Sequence, residues 1–145
     1  MTRATNFDPR WARRGEAFVV VADGGTARIL KRSGRRFSPV LLEIARLERS
    51  SAHRHARDLT TDHEVEVERF ARQLAVRLVQ LARAERVEEL VLIAAPRFLG
   101  VLRRELPEPI RQHITREVPR DLTGALPQPI ARAAFELPAA AGPSA

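Results

Sequence analysis

Leu90–Leu106 reads LVLIAAPRFLGVLRREL, and its reading decides the fold. Leu90, Val91, Leu92, Ile93 and Ala94 form a short, β-rich apolar run with charge on its upstream side. A run that is apolar at every position suits a strand buried on both faces, as in a parallel sheet. Pro96 follows almost at once. Its fixed φ and missing N–H suit the first turn of a helix. Phe98, Leu99, Leu102 and Leu106 then recur at helical spacing. A buried strand running through a short loop into a helix is an α/β unit, and ligands of open α/β sheets gather at the carboxyl ends of such strands. Arg97 falls there, beside the free N–H groups of a helix start, where it could hold an anion.

Upstream, Ala17–Ala22 (AFVVVA) is a second fully apolar strand. Asp23-Gly24-Gly25 is turn chemistry, since glycine permits positive φ. Thr26–Lys31 alternates, with Ala27 and Ile29 on one face and Arg28 and Leu30 on the other. Ser33-Gly34 marks a further turn, and Phe37, Val40, Leu42 and Ile44 fit a third strand with Pro39 near its start. Residues 45–62 read as a long polar loop. Thr61-x-x-Glu64 is a capping box, and a helix over about 62–85 follows, with Val67, Phe70, Ala71, Leu74, Leu78, Leu81 and Ala82 on one broad face. His63 falls on the same stripe. Val65, Val76 and Val79 make a sparser opposite stripe that could serve a subunit contact. After Leu90–Leu106 come a short helical turn to His113, a fifth strand over Ile114–Val118, and a last helix over Ile130–Leu137.

Two buried strands joined through a helix of this length make a right-handed crossover. The expected fold is therefore one α/β domain with a five-stranded mixed sheet. An antiparallel meander is followed by two parallel strands, in the order 3-2-1-4-5, with helices on both faces. The domain spans 16–137, between a flexible basic arm over 1–15 that carries Trp11 and a disordered tail over 138–145.

Charge narrows the partners. The formal net charge is +7, and apart from Lys31 every basic residue other than histidine is Arg. Residues 63–89 nearly cancel, with five Arg against six Glu. The surplus lies in the arm (Arg3, Arg10, Arg13, Arg14), in Lys31, Arg32, Arg35 and Arg36, and in the long loop at Arg54 and Arg57. An acidic partner such as RNA suits that distribution. The candidate RNA- or anion-binding residues are Arg54, Arg57, Arg97, His63, Arg32, Arg35 and Arg36. His53, His55 and His63, with Asp58, Asp62 and Glu64 nearby, could in principle bind a transition metal. No fixed motif matches, however, and Arg54 and Arg57 would repel a cation. No metal, cofactor or catalytic residue is therefore assigned. The absence of cysteine excludes disulfides, thiolate metal sites and a cysteine nucleophile. No run approaches a membrane span of about 20 apolar residues, and the N-terminus does not read as a signal peptide, because no apolar h-region follows its basic residues. A cytoplasmic protein is expected, off the membrane, with a homo-oligomer left open.

Taken together, FVVVADGGTARIL, DHEVEVERFARQLA, LVLIAAPRFLGVLRREL and VPRDLT resemble the bacterial host-attachment protein family, over roughly Ala17–Thr123. The same order of elements is more distantly similar to the middle domain of archaeal and eukaryotic peptide-release factors. In release factors the loop before the long helix carries a Gly-Gly-Gln tripeptide used in peptidyl-tRNA hydrolysis. The equivalent stretch here, Ala52–Asp62, has no Gly-Gly-Gln. The resemblance thus implies the fold and a setting on RNA or the ribosome, without the hydrolytic residue. Two other readings stay open: a small hydrolase or metal-dependent enzyme using the loop histidines, and an interaction protein in attachment to host cells.

Overall fold

A computed structural model describes residues 16–35, 38–49 and 60–135. The elements are β1 (Glu16–Ala22), β2 (Thr26–Arg35), β3 (Ser38–Glu48), α1 (Thr60–Ala84), β4 (Val87–Ala94), α2 (Pro96–Glu105), α3 (Glu108–Arg111), β5 (Ile114–Val118) and α4 (Pro127–Phe135). They build one open sheet in the order β3-β2-β1-β4-β5. β1 pairs antiparallel with β2, and β2 antiparallel with β3. β1 pairs parallel with β4, and β4 parallel with β5. This is the mixed sheet that the apolar runs imply.

The centre of the sheet is the β1–β4 pair, with Val19 opposite Val91, Val20 opposite Leu92 and Val21 opposite Ile93. Side chains alternate across a strand, so each apolar run feeds both faces. Phe18, Val20, Leu90 and Leu92 join Phe70, Leu74 and Leu78 of α1 and Phe98 and Leu102 of α2 in one core. Val19, Val21, Val91 and Ile93 join Ile130, Ala131 and Ala134 of α4 in the other. α1, α2 and α3 therefore cover one face and α4 the opposite one.

Several boundaries move, each for a tertiary reason. Ser33-Gly34 is not a turn: Ser33 pairs with Val40 and Gly34 with Pro39, so β2 runs on to Arg35. β3 extends through Glu48, well into the stretch read as loop, because Ala45, Arg46, Leu47 and Glu48 find partners on β2. β4 starts at Val87, inside the charged connector, because Glu16 and Ala17 offer it pairing partners. α4 begins earlier than expected, at Pro127, and is described as far as Phe135. Neither Gly24 nor Gly25 takes the positive φ expected of it. The turn is held instead by Asp23 Oδ1, which accepts the N–H groups of Gly25 and Thr26, each at 2.8 Å. Val40, Leu42 and Ile44 on β3 stay exposed. In the valine stripe of α1, Val65 and Val76 are exposed, while Val79 packs against the core. The arm with Trp11, the loop with His53, Arg54, His55 and Arg57, Arg36 and the tail lie outside the described residues. Among the described residues no helix is long and apolar enough to cross a membrane.

Ile93 is fully buried in the centre of the sheet. Ile93→Asp places a carboxylate where burial costs several kcal/mol, a large share of a domain stability of about 5–15 kcal/mol. The variant should lose most of its cooperative thermal transition; melting within a couple of degrees of wild type would contradict the strand's position.

Candidate functional site

β1, β4 and β5 point the same way, and their carboxyl ends form one edge of the sheet. The Asp23–Gly25 turn, the Ala95–Arg97 entry to α2 and the Pro119–Ala125 segment meet along it. The start of α1 belongs to the same edge, since a β-carbon on Gly24 would lie 3.4 Å from Val67 Cγ2. His63, one helical turn before Val67, therefore stands at this end too, and it is exposed rather than packed. Arg49 closes the edge from β3: its N–H donates to the Gly25 carbonyl at 2.8 Å and its Nη1 to the Gly24 carbonyl at 3.4 Å. The stretch carrying Arg54 and Arg57 thus leaves the described structure after Arg49 and re-enters it at Thr60, both on this edge.

Arg97 occupies the first turn of α2, behind Pro96, and is exposed. The residue before the helix, Ala95, offers no side-chain cap, and the first turn carries no acidic residue. The first N–H groups of a helix have no acceptor within it, so this end combines a partial positive charge with a full one. The nearby acids Asp23 and Asp121 are engaged internally. Thr123 Oγ1 donates to Asp121 Oδ1 at 2.8 Å and to Asp23 Oδ2 at 3.4 Å.

The other expected contacts are not on this edge. β2 runs antiparallel to β1, which carries Arg32 and Arg35 to the opposite end of the sheet. The Arg32 guanidinium lies 4.9 Å from the centre of the Phe135 ring, against α4. Arg97 and His63 thus stand at one end of the sheet, and Arg32 and Arg35 at the other. Among the described residues no group of histidines and carboxylates could hold a metal ion.

The residue that shapes this edge gave no sequence signal. Arg28 is the one buried charged or polar residue among those described. Its Nε donates to Glu43 Oε1 at 2.7 Å, and its Nη1 to the carbonyls of Thr123 at 2.9 Å and Ala125 at 2.7 Å. The guanidinium thereby ties the segment after β5 to the meander. A basic residue in an alternating strand ordinarily reads as the solvent face. Only the return of the chain over β2 makes it a clamp. Burial by itself would raise the Glu43 carboxyl, but hydrogen bonds from Arg28 and Arg46, reinforced by their charges, outweigh it and hold the group below its ordinary range.

An open α/β domain with Arg97 exposed at the carboxyl edge of its sheet is the class that fold and site define. Within it, the chain belongs to the family described as "Protein required for attachment to host cells", whose model matches residues 45–133, from β3 into α4. No curated protein matches the chain. Among solved structures it resembles the type II variant of the Ppx/GppA phosphatase of Aquifex aeolicus, at 14% identity and a TM-score of 0.39, over 71% of this chain and 35% of that one. The chain spans about a third of that enzyme's length.

Arg28→Met leaves two carbonyls without their donor and Glu43 with Arg46 alone, and should cost on the order of 3 kcal/mol, or roughly 10 °C in Tm. Because the folded Glu43 carboxyl is depressed, its contribution is present above the ordinary carboxylate pKa of about 4.3 and is lost as pH falls through the lower folded value. Glu43→Gln should therefore be less stable than wild type at neutral pH. The gap should close on acidification below about pH 4. A gap that stays constant across thermal melts from neutral to acid pH would remove Glu43 from this role.

Proposed function

We propose that the chain is a non-catalytic binding module that takes RNA, in the setting of the translation machinery, on the carboxyl edge of its sheet. The observation that carries this reading is the start of α2. Arg97 is exposed there, no acid sits in the first turn, and the nearby aspartates are occupied by internal hydrogen bonds. The stretch of sequence that carries Arg54 and Arg57 leaves the described residues after Arg49 and re-enters them at Thr60, both on this edge, and it adds two more positive charges to the chain there. Phosphate oxygens are what such a surface recognises. Arg32 and Arg35, at the opposite end, do not share that surface. The missing Gly-Gly-Gln in Ala52–Asp62 supports binding without hydrolysis.

A second reading rests on family membership: a role in attachment to host cells, with the same edge meeting an anionic surface. The two separate on the ligand. If RNA phosphates are bound, affinity falls with salt at a log–log slope of about −0.7 per contact on single strands. Four contacts give a slope of about −3.

Arg97→Ala should flatten that slope by about 0.7, and Arg54→Glu with Arg57→Glu by more, with Tm unchanged because exposed charges contribute little to stability. RNA binding that is equally weak in all three proteins and indifferent to salt between about 50 and 200 mM would reject the reading. Loss of host-cell attachment in Arg97→Ala without any RNA affinity would favour the second. Peptidyl-tRNA on ribosomes should release no peptide above a loop-deleted control; turnover would revive the hydrolase reading.

A further inference from the structure

An open groove of about 360 Å³ runs between α1 and the edge strand β3, away from the edge described above. Its apolar lining comes from Ile29, Ile44, Ala45, Leu81 and Ala84, and polar and charged side chains, Arg77 among them, complete it. The apolar surface continues along β3 through Leu42 and Val40, which are 54% and 53% exposed. A long edge strand with such a surface is a feature that proteins ordinarily cover. We propose that the chain covers it in cis, with the Trp11 indole seated in this groove. Trp11 lies outside the described residues; the seat and the tether lie within them.

The tether is Glu16, the first residue of β1. Its Oε1 lies 3.3 Å from Lys31 Nζ, and Lys31 is itself part of the groove wall. The same ammonium donates to Glu85 Oε1 at 3.2 Å, at the end of α1 that borders the groove. The chain therefore enters the described structure beside the groove mouth. Trp11 is five residue steps from Glu16, a reach of up to about 17 Å. β1 and β3 are two strand spacings apart, about 10 Å, so the distance can be closed with chain to spare.

The chemistry also matches. An indole gives up a large apolar area on burial, and the groove offers five apolar side chains to receive it. Arg77 in its lining can stack on a ring, an attraction that is strongest for Trp.

The test is clean because Trp11 is the only tryptophan and the chain has no tyrosine. Acrylamide quenching of the intrinsic fluorescence then reports Trp11 alone. In the full-length protein the quenching constant should be several-fold lower than in the same chain unfolded in guanidinium, and independent of protein concentration. Ala84→Arg and Ile44→Asp both alter exposed or half-exposed groove positions. Each should raise the constant most of the way to the unfolded value, with far-ultraviolet circular dichroism unchanged. Leu126→Asp, on an exposed site away from the groove, should leave it unchanged. Three results would overturn the proposal. Wild-type Trp11 could quench as freely as in the unfolded chain. It could remain protected in both groove variants. Its protection could appear only as concentration rises, which would assign the seat to a second copy's arm.

Discussion

The pairing of β1 with β4 is the constraint on which the rest of the structure depends. Val19–Val21 and Val91–Ile93 lie side by side with essentially no exposure on either face. Each such side chain contributes about 1.5–3 kcal/mol when removed from water, but only if both faces of the sheet are covered. Three helices supply one cover and α4 the other. The long helix α1 is what makes the pair parallel, since parallel neighbours need a crossover between them. The same parallel order aligns the carboxyl ends of β1, β4 and β5 and so creates the edge where Arg97 stands.

The two faces are unequal. The α1 face is sealed by helices threaded between consecutive parallel strands, so its cover is dictated by connectivity. The α4 face is covered by a single helix among the described elements, reached only after the chain has crossed the sheet beyond β5. Arg28 fixes the approach to it at the Thr123 and Ala125 carbonyls. The cost of burying a guanidinium is offset by the Glu43 carboxylate and by those two acceptors, as a buried charge requires. The clamp thereby reaches beyond its own contacts: it holds Thr123, whose hydroxyl in turn meets Asp23 and Asp121.

Charge on this protein is divided between structure and availability. Arg28, Arg46 and Arg103 are held by carboxylates, and Arg32 by a ring. Arg97 is exposed at a helix start with no acid in its turn. A net charge of +7 thus overstates the basic surface, because part of it is consumed inside the fold. What is left at the carboxyl edge is small and local, and it lies where ligands of open α/β sheets gather.

The apolar runs AFVVVA and LVLIA determined by themselves that two central strands exist, because only burial on both faces tolerates an uninterrupted apolar segment. The 3.6-residue periodicity after Thr60 likewise determined α1, and Pro96 the start of α2, so the order of the sheet and the position of Arg97 were legible in the chain. Tertiary structure alone decided where strands stop. Ser33-Gly34 and Arg46-Leu47-Glu48 carry turn or loop chemistry, yet pairing along β2 and β3 outweighs that local preference. It alone decided that Arg28 is buried, since an alternating strand does not reveal which of its faces a later segment will cover. It also separated Arg32 and Arg35 from Arg97: an antiparallel hairpin reverses the chain, and residues of like charge and like sequence environment end at opposite ends of one sheet.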